Sequence, residues 1–322
     1  MKSWGVKYLS ALGLLALTAC ATAPAPQQPP TITPRPQERA QSAVRHQIVT
    51  PVTDEKSAAL RRYYERIENN YVVRGMLRTD GGGPDTPFTD EMLARNFVRI
   101  ALFDEYVVDG DRLRARATES RLRRWEQPIR MSVEFGASVP RAQQATDTAE
   151  VTAYAGRLSR ITGVPITMTD RDPNYYVLFL DENDRRASED RLRAMVPGIS
   201  PSSLRAILTL PRDQLCIVVA FSEPGQSEYV KAIAIIRAEH PPLLRKSCIH
   251  EELAQGMGLA NDSRAARPSI FNDDEEFGLL TTQDELLLQM LYDRRLSSGM
   301  TPQEAAPIAA TIATELTTAG AS

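Results

Sequence analysis

The sequence predicts an α+β protein, in which a mixed sheet packs on two long helices and further helices precede the sheet. Short runs rich in β-branched and aromatic residues, typical of strands, occur in the middle of the chain. Longer segments with apolar residues at helical spacing lie before, between and after them. From the first strand onward, the order is strand, helix, four strands, helix, loop and helix, which favours a sheet with helices packed on it.

The individual elements follow from local patterns. Residues 55–77 and 88–106 have amphipathic helical spacing and predict two N-terminal helices, and the glycine-rich loop between them lacks the Lys-Ser/Thr of a phosphate-binding loop. In residues 129–135, apolar and polar side chains alternate as in a half-buried strand. The remaining predicted strands are 165–169, 175–180, 215–221 and 232–237, and the remaining helices are 145–162, 243–259 and one beginning near Thr281, with Thr282 as a candidate cap.

The first twenty residues have the pattern of a bacterial lipoprotein signal peptide. Lys2 and Lys7 supply positive charge, residues 8–16 are apolar, and Leu17-Thr18-Ala19-Cys20 fits the lipobox. So short a run favours a signal peptide, since a membrane-spanning helix needs about 20 apolar residues. We expect cleavage after residue 19 and lipid on Cys20; the alternative is an ordinary signal peptide with a chance cysteine. Ala21 is not an inner-membrane retention residue, which favours the outer membrane, facing the periplasm.

Composition divides the rest of the chain. Residues 20–53 contain Pro, Gln, Thr and Ala with almost no large apolar side chain, and predict a lipidated Cys followed by a disordered tether. A helical segment (54–121), the main domain (122–300) and a C-terminal helix or tail (301–322) are expected to follow. The formal net charge of −3 argues against a nucleic-acid partner. The expected partners are the membrane, through the lipid, and an unknown envelope protein or peptide.

The two cysteines of the expected folded domain predict a disulfide. Once Cys20 carries lipid, Cys216 and Cys248 remain as a pair in an oxidising compartment. Cys216 lies in a predicted strand and Cys248 at the start of a predicted helix. The alternative is two buried free thiols.

The segment 248–262 carries the clearest chemical pattern. A zincin helix reads His-Glu-x-x-His, because residues four apart share a helix face and can bind one metal ion. His250-Glu251 begins in this way, but Ala254 occupies the position of the second histidine. The chain has only three histidines, one of them in the predicted tether, which disfavours a three-imidazole zinc site.

A shift of one position produces a resemblance to the metzincins. Their pattern His-Glu-x-x-His-x-x-Gly-x-x-His is then matched by Glu251, Glu252, Gln255, Gly258 and Asn261. Phe271, in Ser269-Ile-Phe-Asn-Asp273, takes the place of the methionine of the Met-turn. The chain also resembles the bacterial domain-of-unknown-function family 2927 over residues 122–300. This resemblance is carried by Glu-Glu-Leu-x-Gln-x-x-Gly-Leu-x-Asn-Asp, Pro-Ser-Ile-Phe-Asn-Asp and Leu-Tyr-Asp-x-Arg-Leu-x-x-Gly-Met.

The metzincin resemblance implies a zincin-like domain whose metal ligands have changed. The ligand positions carry Glu251, Gln255 and Asn261 or the adjacent Asp262, and such oxygen donors suit Ca²⁺, Mg²⁺ or Mn²⁺ better than zinc. Glu252 takes the position of the general base. No cofactor is expected beyond a weakly bound divalent metal.

Two functions remain open at this stage, besides a structural envelope component whose groove is not used. One is a non-catalytic domain that binds a peptide or envelope protein along the edge strand near residues 215–221. In it, Glu251, Gln255 and Asn261 hydrogen-bond to one another and Gly258 ends the helix. The other is a divalent-metal-dependent hydrolase or peptidase with Glu252 as general base. The acidic residues 273–276 predict a solvated loop; the alternatives are glycoside hydrolysis or loose binding of Ca²⁺.

Overall fold

The computed structural model of the protein describes residues 55–109 and 112–319. The predicted signal peptide, Cys20 and the predicted tether lie outside the described residues. In chain order the described elements are α1 (Glu55–Val73), α2 (Asp90–Ala101), β1 (Phe103–Asp109), β2 (Arg112–Glu119), β3 (Ile129–Phe135), α3 (Arg141–Thr162), β4 (Ile166–Met168), β5 (Tyr175–Leu180), α4 (Glu182–Arg186), α5 (Glu189–Met195), α6 (Pro201–Leu208), β6 (Cys216–Ser222), β7 (Tyr229–Arg237), α7 (Pro242–Gln255), α8 (Thr282–Leu291) and α9 (Pro302–Ala319).

A five-stranded mixed sheet forms the centre of the domain, and the α+β prediction is confirmed. The strand order is β4-β3-β5-β7-β6, with every pairing parallel except that of β6, which runs antiparallel to β7. Strand β6 is therefore an edge strand, at the place where the sequence predicted one. All six residues of the central strand β5 are buried, because helices cover both faces of the sheet.

The two faces of the sheet carry separate apolar cores. Side chains of β5 alternate between them, with Tyr175, Val177 and Phe179 on one face and the residues between them on the other. The long helices α3 and α7 cover the first face together with α2, α8 and α9. The short helices α5 and α6 cover the second face. These short helices were not predicted from the sequence, since each has fewer than three turns of hydrophobic periodicity.

The N-terminal segment contains a hairpin where the sequence predicted the end of a helix. Helix α2 ends at Ala101, and the chain then enters β1, which pairs with β2 in a separate two-stranded sheet. The prediction of a helix to Tyr106 was therefore wrong. Phe103, Tyr106 and the two valines after it favour a strand, and Asp109-Gly110 is a hairpin signal that helical spacing obscured.

Helix α1 packs on the end of the sheet where β7 leads into α7. Ser57 donates a hydrogen bond to Glu239 (3.0 Å), and Glu68 accepts one from the amide of Leu244 in the first turn of α7 (2.7 Å). A carboxylate at a helix N-terminus also interacts favourably with the helix dipole. Helix α1 thus braces the start of the helix that carries Glu251 and Glu252.

Helices α7 and α8 have termini that differ slightly from the predicted ones. Helix α7 ends at Gln255, four residues before the predicted end. Helix α8 is capped by Thr281 rather than Thr282, because the hydroxyl of Thr281 accepts from the amide of Asp284 and the Asp284 side chain accepts from the amide of Thr281. Within the described part of the chain, no helix combines the length and the apolarity needed to cross a membrane.

Candidate functional site

Helix α7 presents two adjacent glutamates below the edge strand β6. Glu251 is half-buried and Glu252 is 3% exposed. The Glu252 carboxylate accepts a hydrogen bond from the backbone amide of Val218 in β6. Gln255 follows Glu251 by one helical turn and therefore lies on the same face of α7. The helix thus brings the three predicted residues of its last turns together beside the strand.

A disulfide fixes β6 to α7. Cys216, the first residue of β6, is bonded to Cys248 in α7, with their Cα atoms 5.9 Å apart. The Cys216 sulfur lies 4.0 Å from a carboxylate oxygen of Glu251. Because both sulfurs are bonded to each other, neither can donate a proton or bind a metal as a thiolate. The disulfide therefore holds the strand at a set distance from the two glutamates.

A cavity of about 600 Å³ lies between β6, the β1–β2 hairpin, α7 and the loops that follow α7. We call it the acidic cavity, because eight of its lining residues carry carboxylates, and six of them, from β1, α7 and the loops after α7, form one cluster. These six are Glu105, Glu251, Glu252, Asp262, Asp273 and Glu275. Asp104 and Asp213 also line it, and Arg123 is the single basic residue among its described lining residues. Arg123 pairs with Asp104 at 2.8 Å, so its charge is already committed.

Burial raises the pKa of five carboxyl groups in the acidic cavity, and repulsion from neighbouring carboxylates raises it further. The pKa of Glu105 and that of Glu275 each rise to about 7. Burial raises the pKa of Glu251, Glu252 and Asp262 well above their ordinary values, and the neighbouring carboxylates act in the same direction. Ionising several of these carboxyl groups at once is therefore unfavourable unless a positive group lies among them.

The Glu252 carboxylate is only partly satisfied. One of its oxygens, Oε2, is buried and has no hydrogen-bond partner among the described residues. An unpartnered buried carboxylate oxygen is costly unless a ligand or ion satisfies it. Gln255 does not reach this oxygen; its amide nitrogen instead donates to Asp262 at 3.3 Å.

The structure does not bring Asn261 into the acidic cavity. Its side-chain amide donates to the carbonyl of Arg99 (2.8 Å), and its backbone amide donates to the carbonyl of Ile100 (3.1 Å). Asn261 thereby satisfies carbonyls at the C-terminal end of α2, which a helix leaves without internal partners. Of the two alternatives in the sequence, Asp262 is the residue that lines the cavity.

Both described histidines are buried away from the acidic cavity. The His250 ring stacks on Tyr154 at 4.0 Å, and its Nδ1 accepts from the amide of Leu280. Burial lowers the pKa of His250 to about 3, so the ring is neutral. His240 is buried beside Cys248 and packs edge-on against Tyr64.

Gly258 and Phe271 belong to the packing around the site. Gly258 lies in the turn after α7 with φ of 128°, a conformation that favours glycine, and its amide donates to the carbonyl of Gln255. A β-carbon there would lie 2.2 Å from the Arg123 carbonyl oxygen. Phe271 is fully buried in the same apolar core as Leu253 of α7.

The sequence did not predict Glu105 as part of the site, and it assigned Asp273 and Glu275 to a solvated acidic loop. Glu105 lies where the β1–β2 register shifts, an irregularity of the kind that redirects side chains. Asp273 and Glu275 adopt left-handed backbone conformations (φ of 66° and 61°), and the Glu275 carbonyl accepts from the amide of Leu77. The prediction of a solvated loop was wrong for Glu275, which is half-buried and lines the cavity.

These features define a class of protein: an α+β domain with a mixed sheet, a disulfide-tethered edge strand and a carboxylate-lined cavity below it. A family model described as "Protein of unknown function (DUF2927)" matches residues 90–311, and the chain belongs to this family. The match begins at α2 and so includes the hairpin that carries Glu105, which the resemblance over residues 122–300 did not. No curated protein and no solved structure matches this chain.

Proposed function

We propose that the protein is a membrane-anchored periplasmic lipoprotein whose degenerate metzincin-like domain binds an extended segment of a peptide or envelope protein without cutting it. One observation carries the proposal: among the described strands β6 is an edge strand that pairs only with β7, and the acidic cavity lies directly below it. A bound segment adds to such a strand through main-chain hydrogen bonds and places alternate side chains in the pockets beside it.

The geometry of β6 supports strand addition. Amides along an antiparallel strand point alternately to the two sides. The amide of Val218 points away from β7, since it donates to Glu252, and the same alternation directs the amide of Ala220 outward. The strand is well placed for a partner because the disulfide fixes one end and β7 pairs along its length.

The donor set supports a domain that does not use zinc chemistry. Zinc in hydrolases is held mainly by imidazole, with thiolate or carboxylate as additional ligands. Both described histidines are packed elsewhere, and both cysteines of the domain are in the disulfide. The zinc implied by the metzincin resemblance does not fit the residues present.

The membrane anchor is proposed from the signal pattern that ends at Cys20 and from the predicted tether after it. We expect radiolabelled palmitate to be incorporated by the full-length protein and lost in the Cys20→Ser variant. Incorporation that survives this substitution would show that the lipid, if any, is attached elsewhere.

Binding along β6 can be tested by hydrogen exchange with a library of ten-residue peptides and the full-length protein in detergent. Bound peptides are expected to slow amide exchange in residues 216–222, and Ala220→Pro should weaken binding because it removes an outward amide. Circular dichroism and thermal unfolding would verify that this variant is folded. Peptides that bind without protecting β6 would contradict strand addition.

A divalent-metal-dependent hydrolase is the second candidate, and one observation favours it. Carboxylate oxygens of Glu251 and Glu252 lie within 4.8 Å of each other, so an ion bound by Glu251 would lie beside Glu252. Asp262 and Gln255 would complete the set of oxygen ligands if the loop closed around an ion, with Glu252 as the general base.

Metal analysis of the full-length protein separates the two candidates. About one Mn²⁺ or Ca²⁺ per chain, lost in Glu251→Ala, together with a substrate whose hydrolysis is lost in Glu252→Gln, would establish the hydrolase. Absence of metal after soaking with Zn²⁺, Mn²⁺ and Ca²⁺ would leave the binding function.

A further inference from the structure

The acidic cavity holds more negative groups than its own positive groups can neutralise. Six carboxylates face one another from β1, α7 and the loops after α7, and Arg123 is already paired with Asp104. The rim residue Asp213 adds a further acid. Placing like charges together in a partly buried space costs free energy, and among the described lining residues only Arg123 could offset it by charge.

The separations within the cavity fit a positively charged side chain better than a preformed metal cage. Among the described residues, the one group of three candidate metal donors consists of Cys216, Glu251 and Glu252, and the cysteine is in the disulfide. The other carboxylates are not gathered around the same point. A cavity of about 600 Å³ is far larger than one ion needs, and it is open on one side.

The innermost group also points to a cationic ligand. Glu252 is 3% exposed, and its Oε2 is buried without a hydrogen-bond partner among the residues that the structure describes. A guanidinium group has five N–H donors and can bind two carboxylates at once, whereas a lysine ammonium has three. Several carboxylates around one cavity match this donor pattern.

We propose that the acidic cavity receives an arginine or lysine side chain of the extended segment that binds along β6. This inference rests on the proposed function, because β6 supplies the main-chain contacts and the cavity supplies the specificity. A side chain that points from an added strand toward α7 would reach Glu251 and Glu252 first. Glu105 and Glu275 would contact it from the opposite parts of the wall.

The experiment uses the full-length protein in detergent and four pools of ten-residue peptides that differ only at one central position. That position is arginine, lysine, norleucine or glutamate, with identical mixtures elsewhere. The arginine and lysine pools are expected to be retained at least about tenfold better than the norleucine pool, the size of one charge-assisted hydrogen bond. The double variant Glu105→Gln with Glu275→Gln should lose most of that preference.

Matched controls separate specific from general attraction. Glu223→Gln removes a charge from an exposed residue at the end of β6 that does not line the cavity, and it should keep the full preference. An equal loss in this variant would indicate non-specific attraction to an acidic protein and would overturn the inference.

The outcomes also separate this inference from the proposed function. If the norleucine and arginine pools are retained equally and Ala220→Pro weakens both, binding by strand addition is supported. The inference that the cavity receives a basic side chain is then overturned. Preferential binding of basic peptides that is unaffected by Ala220→Pro and by backbone N-methylation would keep the cavity's specificity and overturn strand addition. Retention of no pool, or displacement of basic peptides by one tightly bound Ca²⁺ or Mn²⁺ per chain, would overturn the inference.

Discussion

Replacing Glu105 by Gln should stabilise the protein at pH 8 and have little effect at pH 5. In the folded protein the pKa of Glu105 is raised from 4.5 to about 7, first by burial and also by the charge of Asp273. The folded state therefore binds more protons than the unfolded state between these values, and stability falls as the pH rises through this window. Glutamine has almost the same shape and cannot ionise, so it escapes this loss.

The size of the effect follows from the shift. The change from 4.5 to about 7 corresponds to an upper limit of roughly 3 kcal/mol. Glu105 is only half-buried, and water screens part of the repulsion, so we expect about 1–2 kcal/mol at pH 8. The charged or titratable neighbours that contribute are Tyr106, Glu251, Glu252, Asp262 and Asp273.

Urea unfolding at pH 5 and pH 8 measures the difference, with Glu223→Gln as the control for loss of one exposed charge. A pH-independent gain would trace the effect to net charge rather than to the pKa of Glu105. Destabilisation at pH 8 that exceeds the effect at pH 5 would refute the reasoning, because it would mean that the ionised carboxylate has a favourable positive partner.

Three further changes test the surroundings of the cavity. Replacing Cys216 and Cys248 together by Ala should lower the free energy of unfolding by roughly 3–4 kcal/mol, from the loop entropy of a 32-residue separation, and urea unfolding would measure it. Gly258→Ala should cost more than about 2 kcal/mol in the same assay, since the new carbon would meet the Arg123 carbonyl. Asn261→Ala should cost about 1 kcal/mol and leave peptide or metal binding unchanged, because Asn261 contacts α2 rather than the cavity.

The sheet and the long helices could be predicted because their signals are local. Strand β5 is a continuous apolar run, and α7 combines helical spacing with the Glu251-Glu252 pair. The helix that was predicted to run to Tyr106 failed because the residues after Ala101 also fit helical spacing for one more turn. In that segment the β-propensity of the residues and the Asp109-Gly110 turn signal outweighed the helical spacing of the apolar residues, and strand β1 formed.

The candidate site could be predicted only where its residues lie on one helix. The sequence predicted that Glu251, Glu252 and Gln255 lie close together, because the spacing of residues along a helix fixes the direction of their side chains. Asn261 follows the end of α7, so helical spacing no longer fixed its direction, and it turned toward α2. Glu105 lies about 150 residues before this segment, and only the tertiary fold places it there.

The composition of the acidic cavity supports the proposed binding function. A retired site would be expected to replace repelling carboxylates by neutral or apolar groups, since each such change would add stability. Here Glu105 and Glu275 join the glutamates of α7 from other parts of the chain, and Glu275 does so from a left-handed backbone conformation that costs free energy. Because buried like charges oppose folding, the proposed positively charged ligand would offset a repulsion that the free protein does not neutralise. The same reasoning favours the β6 edge as the route to it, since the disulfide fixes that strand beside the innermost carboxylate, Glu252.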